Sequence, residues 1–88
     1  MEDKNILKIA KECLKNIKTN LVFATFVTKD IELGKKFAVL INGKIKTKAY
    51  YVSGVDGKPI LMIDFSDSKK EKVISVLEKF IEEREKND

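Results

Sequence analysis

Lys46, Lys48 and Tyr50 fall at alternate positions of Lys44-Ile45-Lys46-Thr47-Lys48-Ala49-Tyr50, so a strand there places two ammonium groups and a phenol on one side. Lysines pair with phosphates and an exposed tyrosine stacks on an unpaired base, the combination found on sheets that bind single-stranded nucleic acid. Lys36 joins the set if the stretch before it is a strand of the same sheet. The bland reading of the same residues is a solvated face, because Lys on edge strands also deters aggregation. Of the 18 basic residues only Arg84 is an arginine, the better reader of phosphates and bases.

Other reactive side chains are few. Asp64 and Asp67 stand beside Ser66 and Ser68, and two carboxylates can do acid-base work. At a strand end and helix start, however, Asp and Ser are the residues that cap helices and favour the positive end of the helix dipole. Ser53-Gly54-Val55-Asp56-Gly57 lacks the spacing and the following helix of a phosphate loop and reads as a turn. The chain has no His and one cysteine, Cys13, which excludes Ser-His and Cys-His catalysis and supplies no zinc-ligand cluster. The expectation is a non-enzymatic protein without cofactor, metal or small-molecule substrate.

Eighty-eight residues suit one hydrophobic core, so residues 1–88 are expected to form a single domain. A lone cysteine gives no reason to expect an oxidising compartment, and cytoplasm is the default. No signal-peptide pattern opens the sequence and no apolar run approaches 18 residues, so neither export by that route nor a membrane span is expected. The formal charge of +4 is uneven: +2 over residues 1–28, +4 over 29–58 and −2 over 59–88. From Leu33 to Val55 there are five lysines and no acid.

The elements that position these groups follow from periodicity. Ile6, Leu7, Ala10, Cys13, Leu14 and Ile17 mark one face of a first helix over Glu2–Ile17, with Cys13 inside the apolar stripe. Val, Ile, Phe, Tyr and Thr dominate Leu21–Phe65, which reads as four strands: Leu21–Thr28, Lys35–Ile41, Lys44–Ser53 and Pro59–Phe65. Ser68 and Glu71 have capping-box spacing, and Val73, Ile74, Leu77, Phe80 and Ile81 form the stripe of a last helix running to about Arg84. The predicted class is therefore α+β: N-terminal helix, four-stranded antiparallel meander and C-terminal helix, in a two-layer sandwich.

Side-chain alternation sets the register, because a slip of one residue turns a whole strand over. Three-residue loops at Asn42-Gly43-Lys44 and Asp56-Gly57-Lys58 give one apolar core face: Phe37, Val39, Ile41, Ile45, Thr47, Ala49, Tyr51, Leu61, Ile63 and Phe65. In this register Ser53 pairs with Leu61 and Tyr51 with Ile63. The first strand has no pattern to phase it, since Leu21, Phe23 and Val27 alternate with Val22, Ala24 and Phe26. The opposite sheet face mixes charge with apolar groups. Ala38, Leu40, Val52, Ile60 and Met62 would form an apolar area there, and monomers seldom expose one of more than a few hundred Å².

The leading expectation is thus a self-associating or partner-binding module acting through that outer face. The alternative is a single-stranded nucleic-acid-binding module using Lys36, Lys46, Lys48 and Tyr50. In element order, basic strands followed by a helix, the chain resembles single-strand-binding transcriptional coactivator and Pur-type modules. The leading helix departs from that order and no residue motif is shared, so the resemblance carries over no site.

Overall fold

Ile6, Ile9, Ala10, Cys13 and Ile17 recur at helical spacing and are all buried along one side of helix α1 (Glu2–Thr19). The computed structural model describes residues 2–20 and 24–86. Cys13 is wholly enclosed, and burial pushes its thiol far above the ordinary range. The folded protein is therefore expected to leave a thiol-specific reagent unreacted, with one thiol per chain appearing in denaturant. Modification of the native chain at the rate of a free thiol would show that α1 does not pack this way.

Strands β1 (Thr25–Thr28), β2 (Lys48–Ser53) and β3 (Pro59–Asp64) form an antiparallel sheet in the order β1-β3-β2. Between β1 and β2 the chain makes helix α2 (Ile31–Asn42), and after β3 it makes helix α3 (Lys70–Lys86). The α+β class stands, with three helices and three strands among the described residues in place of the expected two helices and four strands.

The predicted strand Lys35–Ile41 is the difference. Gly34, Phe37, Ala38 and Ile41 are buried at a spacing near 3.6, while Val39, expected beside Phe37 and Ile41, is 75% exposed. Asp30 starts the helix: its carboxylate accepts from the Leu33 N–H at 3.1 Å, and Glu32 lies in the positive first turn. Asn42-Gly43-Lys44, expected to be a hairpin, ends it instead. The N–H groups of Gly43, Lys44 and Ile45 all reach the Ile41 carbonyl. The Asn42 side-chain carbonyl then accepts from the Thr47 N–H at 3.0 Å and the Thr47 hydroxyl at 3.1 Å, so β2 begins at Lys48 rather than Lys44. With α2 inserted, the likeness to single-strand-binding modules in element order also disappears.

The β2–β3 hairpin keeps the predicted faces but not the predicted pairing. Tyr51 pairs with Leu61 and Ser53 with Pro59, two residues away from the expected register. The turn sits one residue earlier: the Gly57 N–H donates to the Gly54 carbonyl at 3.0 Å, and Gly57 takes φ 79°, which glycine adopts without steric cost. A shift of two preserves which side chains share a face. On β1, Phe26 points into the core and Val27 out. Leu21, Val22 and Phe23 of the predicted first strand lie outside the described residues.

Phe26, Leu61 and Ile63 face the helices, which all lie on this side of the sheet. Val73, Leu77, Phe80 and Ile81 of α3 meet the α1 stripe, and the Phe80 ring meets Phe37 of α2 edge to face at 5.8 Å. Buried side chains from α1, β1, α2, β3 and α3 join in one cluster, to which β2 contributes none. Among the described residues no helix is long and apolar enough to cross a membrane.

Candidate interaction surface

With three helices on one face, none of the described residues forms a layer over the other face of the sheet, and register fixes its content. Thr25, Asp64 and Lys48 make one cross-strand row, Val27, Met62 and Tyr50 the next, and Ile60 with Val52 the third. Val27 is 44% exposed and Tyr50 42%, while Val52, Ile60 and Met62 are half-buried by their sheet neighbours alone. Beyond the third row, Val27, Lys29, Gly54, Val55, Asp56 and Ile60 line a shallow hollow of about 420 Å³. Val55 projects fully into solvent at the hairpin tip.

Val52, Ile60 and Met62 thus come together as predicted. Ala38 and Leu40 do not, because both belong to α2 on the opposite side of the sheet. Ala38 is buried in the core, and Leu40 lines a groove between helices with Val39, Lys36 and Arg84. Val27 is the member that periodicity could not supply, since both alternations of its strand are apolar. Val55 shares no alternating pattern and is recognisable only as an apolar residue in a turn.

The residues of the nucleic-acid alternative are divided in the same way. Lys48 and Tyr50 lie on the outer face, Lys46 precedes β2, and Lys36 is on α2. Acids meet them at once: Asp67 lies 3.5 Å from the Lys46 ammonium and 3.8 Å from that of Lys48. These pairs are half-exposed and add little stability, but they offset the local positive charge. The Tyr50 hydroxyl donates to the Asp64 carboxylate at 3.0 Å, which holds the phenol above its ordinary pKa and keeps it protonated. Asp64 is in turn held below the ordinary carboxylate range, first by the Ser66 hydroxyl and then by the Ser66 N–H. A lowered carboxyl contributes stability at neutral pH that fades as pH falls through the carboxylate range.

The charges on this face are therefore balanced where they stand. Lys48 with Asp64 and Asp67 occupies one end, Lys29 and Asp56 the other, and the apolar rows lie between. Compared with protein-family models, curated proteins and solved structures, the chain finds no significant match.

Proposed function

We propose that the protein is a non-enzymatic interaction module that associates with a second copy of itself through the outer face of its sheet. The observation that carries this reading is the uncovered apolar block Val27, Val52, Ile60 and Met62, set opposite a fully packed helical face. Partly exposed methyl groups in adjoining cross-strand rows gain free energy when another apolar surface removes them from water, at roughly 25 cal/mol per Å². A second copy fits because it brings the same apolar block flanked by the same balanced charges. Two sheets packed this way enclose both blocks at the usual spacing of about 10 Å.

Met62→Asp places an unpaired carboxylate in the middle row, where a dry interface makes it costly. The substitution is expected to weaken association by at least about 30-fold, since loss of a central interface side chain typically costs about 2 kcal/mol or more and each 1.4 kcal/mol is tenfold. Sedimentation equilibrium of a variant with native circular dichroism would show the dissociation. A mass equal to that of the unaltered chain at every concentration would sink the reading.

A further inference from the structure

The hydrogen-bond phase of the hairpin decides what its free edge offers. The Gly54 N–H donates to the Lys58 carbonyl at 2.8 Å, which makes Gly54 and Lys58 a hydrogen-bonded pair. Alternation along the ladder then directs the main-chain groups of Lys48, Tyr50 and Val52 towards β3. Those of Ala49, Tyr51 and Ser53 point away from it. Pro59 opposite Ser53 agrees with this phase, because the missing proline N–H falls where no bond to β2 is needed.

β2 is an edge strand, and from Ala49 to Ser53 it carries none of the charges, prolines or glycines that usually blunt an edge. The other edge, β1, is only four residues long.

We infer that β2 pairs antiparallel with β2 of a second copy, about a two-fold axis at Tyr51, to make a continuous six-stranded sheet. This register alone uses all three outward-facing residues, setting Ala49 against Ser53 of the other copy and Tyr51 against its equivalent. Tyr50 then meets Val52, and Lys48 meets Gly54 rather than another lysine. Centring the pairing on Tyr50 leaves Ser53 without a main-chain partner. The central aromatic pair is a favourable cross-strand contact. Each Tyr51 ring, 55% exposed in the single chain, already carries the Lys35 ammonium of its own helix 5.0 Å from its centroid.

This pairing goes beyond the face-to-face association proposed above and does not depend on it. Its two-fold axis stands normal to the sheet, whereas that of the face pairing lies between the two stacked sheets, parallel to them. Both can therefore operate in one closed tetramer of dihedral symmetry.

The test is the solution mass of the full chain carrying Tyr51→Pro or Ser53→Pro, beside Met62→Asp. Proline at either edge position removes an outward N–H that the chain's own ladder does not use. Each proline variant is expected to halve the mass of the assembly, as Met62→Asp does by the other interface, and combining Tyr51→Pro with Met62→Asp is expected to leave a monomer. Folded proline variants that keep the unaltered mass overturn the edge pairing while leaving the face pairing intact. A mass halved by proline but unmoved by Met62→Asp supports the edge and removes the face. Should the proline variants fail to fold, amide exchange on the unaltered protein decides. Protection of Ala49, Tyr51 and Ser53 that rises with protein concentration supports the pairing, and free exchange at all concentrations contradicts it.

Discussion

Phe37→Ala is expected to destabilise the fold by about 3 to 5 kcal/mol, the usual cost of deleting a buried aromatic ring and leaving a cavity. Phe37 is completely buried on α2 and meets Phe80 of α3 at 5.8 Å with the rings at 78°. The void would open where α2 meets α3, against the Phe80 ring. A domain of this size holds roughly 5 to 15 kcal/mol in all, so the variant would sit near the limit of folding. Urea unfolding measures the loss directly. Val39→Ala, at a position 75% exposed two residues along, is expected to change stability by no more than about 0.5 kcal/mol. Equal large losses at both positions would mean that Phe37 and Val39 share a buried face, as a strand requires and a helix forbids.

The second large effect is at Gly34. A Cβ built on this residue would lie 2.7 Å from the Leu61 side chain and 2.8 Å from that of Thr28, so α2 crosses the sheet at a distance only hydrogen allows. Leu61 is 2% exposed and has little room to turn away. Gly34→Ala sets a helix-propensity gain of about 1 kcal/mol against this crowding, and the net change is expected to be small. Gly34→Leu adds three more carbons with no space for them and is expected to cost about 2 to 3 kcal/mol through overpacking. The same urea titration checks the pair. A stabilised Gly34→Leu would show that α2 does not approach β3 so closely.

Much of this arrangement was legible in the sequence where one periodicity stood alone. The stripes of α1 and α3 contain no competing alternation, and both helices bury most of the side chains their spacing assigns to the core. For β2 and β3, the alternation of Tyr51, Leu61 and Ile63 with Tyr50, Val52, Ile60 and Met62 identified the two faces correctly even though the pairing is displaced by two. Residues 35–41 failed because Lys-Lys-Phe-Ala-Val-Leu-Ile satisfies both periods. Phe37, Val39 and Ile41 alternate, while Gly34, Phe37, Ala38 and Ile41 wind, and a run apolar on every side offers no polar face to choose between them. The deciding signal was upstream, in the Asp30 cap and in Glu32 after it. Asn42-Gly43 then deceived by resembling a hairpin turn, although glycine just past a helix end is equally common. Transferring 31–42 to a helix removed Ala38, Leu40 and Lys36 from the outer face and left Val52, Ile60 and Met62 on it.

If a second copy covers the outer face, methyl groups of two chains must lie in contact across it. In a sample mixing isotope-labelled and unlabelled protein, intermolecular nuclear Overhauser effects are expected from the Met62 methyl of one chain to Val27, Val52 or Ile60 of another. A soluble paramagnetic agent should leave these methyl signals largely unbleached. If no intermolecular effect appears at high concentration and the agent bleaches Met62, Val27 and Ile60 like ordinary surface groups, the outer face is open to water and no second copy covers it.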